Sequence, residues 1–315
     1  MISILIPLYN EEQSLEALCC EIAATTAQYQ WEVEIIFIDD GSTDGSWGRV
    51  VSLASKDSRV RGIRFRKNFG KSAALQAGFS ICRGEFVITM DADLQDSPAE
   101  MPRLLAKLEE GFDLVNGWKK IRFDPWHKVL PSRVFNWMIR LVSGLALHDH
   151  NCGLKCYRSE VIREIRIYGE LHRFITLLAD ARGFKVTEME VHHRRRIYGE
   201  SKYGSSRFLK GLLDLLTVRM VTSFGERPLH LFGVLGILTV SVGTLGFAYL
   251  AGLWIVGHAI AESRIVLICS LACLLFGSQI IGLGLLGELI IFRLIGQKTN
   301  QPGYGVAEQK EQIGN

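Results

Sequence analysis

Phe86-Val87-Ile88-Thr89-Met90-Asp91-Ala92-Asp93-Leu94-Gln95 is an apolar run that stops at two carboxylates one residue apart. An apolar run of this length, bounded by polar residues, is the signature of a buried strand. Two aspartates at its end present hard oxygen atoms, the donors that Mg²⁺ or Mn²⁺ prefers. An Asp-X-Asp triplet also arises by chance in solvated turns. The strand before it and the Leu94-Gln95 after it therefore carry most of the inference.

The pattern repeats outward from this stretch. Ile2–Ile6 is a short apolar run stopped by Pro7, and Val33–Ile38 is closed by Asp39-Asp40-Gly41-Ser42. Arg61–Phe65, Glu85–Met90 and the run from Leu114 to Asn116 read as further strands. Between them, Glu11–Tyr29, Asp44–Ala54, Lys71–Cys82 and Pro98–Glu110 have helical spacing, the last with Pro near its start. Strands alternating with helices predict a parallel sheet covered on both faces. Such sheets bind ligands at the carboxyl ends of their strands. Tyr9-Asn10-Glu11, Asp39-Asp40 and Asp91-Asp93 are thus expected to converge in one crevice, with Lys71 at a helix start close by. Arg66–Ser72 lacks the GxxxxGK[ST] spacing of a Walker loop.

The 315 residues carry a net charge of only +3, which argues against a dedicated nucleic-acid binder. Seven cysteines, an odd number without framework spacing, fit a reduced cytosolic setting. Cys152 and Cys156 lie near His148 and His150, but no CxxC pair supports a zinc site. The opening residues are too short an apolar run for a signal peptide.

The charge is unevenly spread. Residues 229–296 hold two long apolar stretches, about Leu231–Ile255 and Ile265–Leu286, each long enough to cross a hydrocarbon core of ~30 Å. Tyr249 and Trp254 are expected at the far interface. Arg219, Arg227, Arg293 and Lys298 flank the near side, which the positive-inside rule makes cytoplasmic. Ser278 and Gly282 form a small-xxx-small pair suited to helix packing, Cys269 and Cys273 share a face as packing residues, and membrane-facing glycines leave homo-oligomers open. Residues 206–228 read as an amphipathic helix at the membrane surface, and 297–315 as a polar cytoplasmic tail. Two basic stretches, Lys119–Arg133 and His192–Arg196, suit either a lipid phosphate or anionic headgroups.

Five ordered motifs, Pro7-Leu8-Tyr9-Asn10-Glu11, Ile38-Asp39-Asp40-Gly41-Ser42, Asn68-Phe69-Gly70-Lys71, Asp91-Ala92-Asp93-Leu94-Gln95 and Tyr198-Gly199-Glu200-Ser201-Lys202, together resemble the polyprenyl-phosphate glycosyltransferases of glycosyltransferase family 2. The resemblance implies a GT-A domain over 1–205, an α/β fold with a Rossmann-like, mostly parallel sheet, followed by the membrane anchor. It implies an inverting transfer from a UDP- or GDP-sugar to a polyprenyl phosphate. By resemblance, Pro7, Tyr9, Glu11, Ile38 and Asp40 contact the nucleoside, while Asp91, Ala92, Asp93 and Gln95 surround Mg²⁺ or Mn²⁺ and the diphosphate. Lys119, Arg133, Arg196 and Lys202 are the expected phosphate and acceptor residues. Many members carry Arg where this chain has Lys119, which keeps the charge and loses the bidentate fork. No QxxRW motif of processive synthases occurs. A phosphate monoester is already anionic near neutral pH, so no dedicated base is expected. Asp149 is the candidate should one be needed, against a role in orienting its loop. Another lipid acceptor, such as diacylglycerol, and an inactive membrane scaffold are the competing readings.

Overall fold

A computed structural model describes residues 1–120, 136, 138–140, 144–194, 215, 217–218, 220, 227–257 and 263–297. The chain falls into two compact units, Met1–Val218 and Arg219–Asn315.

The first unit is built on a seven-stranded sheet. In chain order its elements are β1 (Ile2–Leu8), α1 (Leu15–Gln28), β2 (Val33–Asp39), α2 (Ser46–Lys56), β3 (Val60–Arg64), α3 (Lys71–Ile81) and β4 (Phe86–Thr89). A 3₁₀ turn at Pro98–Glu100 leads into α4 (Met101–Glu109) and β5 (Leu114–Trp118). Then come β6 (Lys155–Arg158), α5 (Ser159–Glu164), a 3₁₀ turn (Leu171–Phe174), α6 (Ile175–Asp180) and β7 (Val186–Glu190). The strand order is β3-β2-β1-β4-β6-β5-β7. All pairings are parallel except those of β6, which is antiparallel to both neighbours.

Alternation along β1 explains the two layers. Ile4, Ile6 and Leu8 enter one core with residues of α1, α2 and α4. Leu5 enters the other with residues of α3, α5 and α6. The sheet is therefore covered on both faces, as the sequence pattern predicts. One expectation is corrected: Pro7 does not stop β1, which runs on to Leu8. Leu5 O accepts from Met90 N and Leu8 O from Asp40 N, so residue 7 points to the β4 side. The last β4 pair is Leu5 with Thr89, so the missing N–H of Pro7 breaks no ladder bond.

The second unit is a helical hairpin, α7 (Pro228–Ile255) and α8 (Arg264–Gln297). Both helices are long and apolar enough to cross a membrane, and only 17% and 11% of their most apolar stretches are buried. A core helix of a soluble domain would be mostly buried. Ser278 is exposed and a side chain at Gly282 would meet open space, so this pair lies away from the contact between α7 and α8. The close approach uses other small residues. A β-carbon on Gly236 would lie 2.8 Å from Gly277 O, and one on Gly243 2.8 Å from Ser270 O. Cys269 is exposed, so it is not the packing residue its spacing implies.

Candidate active site

The sheet order places β1 between β2 and β4, so the loops after these strands are neighbours. The first two interlock. Asn10 N donates to Ser42 Oγ at 2.9 Å, Glu11 N to Ser46 Oγ at 2.9 Å, and Thr43 N to Asn10 Oδ1 at 2.8 Å. Tyr9 and Glu11 are half-buried at this junction. Asp39 Oδ1 accepts from Ser42 N at 2.8 Å, which closes the turn after β2.

Asp40 faces a third loop. Its two oxygens accept from Phe69 N at 2.7 Å and Gly70 N at 2.9 Å. Burial raises its pKa, although both N–H groups oppose the shift. The strap passes so close that a β-carbon on Gly41 would lie 2.5 Å from the carbonyl carbon of Lys67, and Gly41 has φ +73°. Only glycine satisfies both conditions without strain. The Ile38 side chain is fully buried in the core, so only its main chain is available to a ligand.

The loop after β4 carries the carboxylates. The Lys71 ammonium contacts Asp91 Oδ1, with the two side chains 27% and 31% exposed. Burial alone would push the Asp91 carboxyl up, but Lys71, Lys119 and Lys155 outweigh it and hold it at about 2. Ala92, Asp93 and Leu94 are buried, and Asp93 Oδ1 accepts from Gln95 N at 3.2 Å. Leu94 has φ +61°, a left-handed conformation that a branched side chain adopts only where its surroundings impose it.

A segment from far along the chain fixes this loop. Asp96 bridges to His193, and Arg194 N donates to Gln95 O at 2.9 Å. Gln95 Nε2 lies 3.5 Å from Arg194 O and 3.4 Å from His193 Nε2. Arg194 is itself tied to Glu21 and to Ser97 Oγ. The start of the basic run is thus structural. Lys119 is also engaged: its ammonium lies 2.7 Å from Asp96 Oδ1, with the two side chains 13% and 0% exposed. Burial would lower its pKa, but Asp96 and other acids push it well up, so the charge is retained.

Asp149 is 1% exposed, and its Oδ1 accepts from Asn151 N at 3.1 Å while Asn116 Nδ2 donates to its carbonyl. This is a loop-orienting arrangement. Arg133, Arg196 and Lys202 lie outside the described residues, as does most of the expected helix at 206–228. Sequence reasoning missed Asn151, Gly153, Lys155 and His172. With Lys71 and Asp91 they line a cavity of about 10 Å³ beside the carboxylates. The one available signal was a lysine within the run Leu154-Lys155-Cys156-Tyr157.

Asp91, Asp93 and Gln95 are all oxygen donors on one loop, and Asp91 is held anionic. The set fits a hard divalent cation. Among the described residues no three His, Cys, Asp or Glu side chains form a metal cluster.

A mixed but mostly parallel sheet with acidic loops at its strand ends is the arrangement of a GT-A glycosyltransferase fold. The model of glycosyl transferase family 2 matches residues 3–166, and the chain belongs to that family. It is 36% identical over 295 residues to a dodecaprenyl-phosphate galacturonate synthase of Rhizobium johnstonii, covering 92% of this chain and 87% of the relative. It is 34% identical over 292 residues to an undecaprenyl-phosphate 4-deoxy-4-formamido-L-arabinose transferase of Aeromonas hydrophila, covering 92% and 88%. Among solved structures, glucosyl-3-phosphoglycerate synthase of Mycobacterium tuberculosis in complex with Mn²⁺, uridine-diphosphate-glucose and phosphoglyceric acid is similar in fold. Its TM-score is 0.53 at 19% identity, over 70% of this chain and 79% of that one.

Proposed function

We propose that this chain transfers one sugar, with inversion at the anomeric carbon, from a UDP- or GDP-sugar to a polyprenyl phosphate at the cytoplasmic face of the membrane. The observation that carries the reading is the Asp91–Gln95 loop at the end of β4, in a chain that also holds two helices apolar enough to span a bilayer. The acceptors of the two named relatives support the acceptor class, and the Mn²⁺ complex of the structural neighbour supports a divalent metal.

Asp91, Asp93 and Gln95 would hold Mg²⁺ or Mn²⁺. A metal bound there would supply Lewis acidity and positive charge toward the leaving diphosphate. Lys71, at the start of α3, adds a fixed positive charge at the same carboxylate. The loops after β1 and β2 hold the nucleoside, with Asp40 acting through the Phe69–Gly70 strap it anchors. An acceptor phosphate oxygen attacks the anomeric carbon; the new C–O bond forms as the bond to the diphosphate breaks. The attacking oxygen is already anionic, so no side chain need remove a proton, and Asp149 orients its loop. Residues 1–205 form the catalytic part, 206–228 lie along the membrane surface, and 229–296 anchor the chain.

Membranes containing the protein, incubated with labelled nucleotide sugars and defined lipid acceptors, should yield a mild-acid-labile polyprenyl phosphosugar. Labelled diacylglycerol alone would sink the proposal. Asp93→Asn should lower transfer by about 10²-fold or more while the protein stays folded, since a carboxylate ligand becomes a neutral amide. Chelation with EDTA should stop transfer, and Mn²⁺ or Mg²⁺ should restore it.

A further inference from the structure

Lys155 opens β6 in the interior of the sheet, paired with Thr89 of β4 and Asn116 of β5, and is 2% exposed. Its ammonium donates to two main-chain carbonyls, His150 O at 3.3 Å and Cys152 O. It forms no ion pair among the described residues, whereas Lys71 and Lys119 each have a carboxylate. Burial lowers its pKa to about 8, even with Cys152, Asp149 and Asp91 near it. A buried charge with no opposite charge in contact destabilises a fold, and an apolar side chain of similar volume would avoid that. Stability alone therefore does not account for a lysine here.

The site does. The two carbonyls bracket Asn151 in the turn that leads to Gly153. Gly153 lies directly against the proposed metal ligand: a β-carbon there would sit 2.5 Å from Asp91 Cγ and 2.5 Å from Oδ2. Thr89 Oγ1 donates to Gly153 O at 2.9 Å, so β4 and the Lys155 ammonium grip the same turn from two sides. Lys155 and Asp91 also line the same small cavity.

We propose that Lys155 is a positioning residue for glycosyl transfer: its ammonium holds the His150–Cys152 turn so that Gly153 fixes the side-chain direction of Asp91. This rests on the reading of Asp91 as a metal ligand. The role is distinct from binding substrate, and a side chain of equal bulk without the charge cannot fill it.

The test uses the full-length protein in nanodiscs with Lys155→Met, Lys155→Arg and Gly153→Ala. Three quantities are measured: the unfolding temperature without metal, the electron paramagnetic resonance spectrum of Mn²⁺ with UDP or GDP, and kcat and KM for the donor. Lys155→Met should unfold within a few degrees of the parent or above it, change the Mn²⁺ line shape, and lower kcat about tenfold or more with KM within about threefold. Gly153→Ala should give the same signature by pressing on Asp91 directly. Lys155→Arg, which keeps the donors and the charge, should recover most of kcat. Parental kcat and line shape in Lys155→Met would overturn the proposal whatever its stability. Should that variant fail to fold, parental behaviour of Gly153→Ala overturns it instead. A parent that binds no Mn²⁺ with either nucleotide removes the metal reading and this inference with it. A parent that makes no polyprenyl phosphosugar sinks only the acceptor assignment, because the Mn²⁺ spectra need no acceptor.

Discussion

Several residues around the strand ends hold neighbouring loops in place, and Asp40 is one of them. Asn at position 40 offers one acceptor oxygen where the carboxylate offers two, so either Phe69 N or Gly70 N loses its partner. Asp40→Asn should destabilise the protein by about 1–3 kcal/mol, the usual effect of an unmade buried hydrogen bond. Chemical denaturation of the full chain would measure it; an unchanged midpoint would mean the strap does not depend on Asp40. His150 gives a pH signature. It is fully buried with Nδ1 2.9 Å from Thr176 Oγ1, and burial, then Lys155, lowers its pKa to about 4. Between pH 4 and the ordinary value near 6.5, the unfolded chain binds a proton that the folded chain refuses. Stability is then fully present above that ordinary value and falls as pH drops toward 4, by roughly 3 kcal/mol in the limit. His150→Asn, with an amide in place of the titrating ring, should flatten this acid limb in a stability–pH series. An equally steep limb in the variant would assign the loss to other groups.

At the scale of elements, the sequence made some features legible and hid others for physical reasons. Each run from β1 to β5 appears in the structure with ends shifted by a few residues; burial on both faces gives β1 and β2 a continuous apolar signature, whereas the edge strand β3 is only partly buried. The antiparallel β6 was missed. It has four residues, and the direction of a strand inserted between two others leaves no local trace. The acidic loops were legible because parallel sheets put strand ends together. Leu94 in a left-handed conformation was not, since nothing in a leucine announces it. Lys155, Gly153 and His172 join the site through tertiary convergence, which spacing does not encode. The hairpin teaches the same lesson. Gly277 and Gly282 look alike in sequence, yet a β-carbon on Gly277 would lie 2.6 Å from Val240 Cγ2, while one on Gly282 meets nothing. Gly277→Val should lower the unfolding temperature in detergent, an overpacking loss of about 1–3 kcal/mol, and Gly282→Val should leave it nearly unchanged. Equal effects would show that α7 and α8 do not meet through this face.

For the whole molecule, the chemistry requires that the nucleotide site and the acceptor headgroup share one side of the bilayer. Under the proposed function, the charges flanking the hairpin predict which side. Leu238, Val242, Leu245 and Phe276 on its surface are 60–70% exposed, an apolar area that a water-facing helix pair would not keep. Its ends are unequal in charge. Arg227 and Arg293 lie at the end where the helices leave, joined in sequence by Arg219 and Lys298, whereas the connection between the helices has Glu262 and Arg264. An excess of cations on short flanking segments favours the cytoplasmic side. A reporter fused after Asn315 should therefore read as cytoplasmic, and one inserted in the connection between α7 and α8 should read as external. Neutralising Arg227 and Arg293 while adding lysines to the connection should weaken or invert that orientation and reduce transfer in cells, since nucleotide sugars are supplied from the cytoplasm. An inverted variant that keeps full transfer in cells would separate the donor site from the side of the membrane to which the hairpin assigns it.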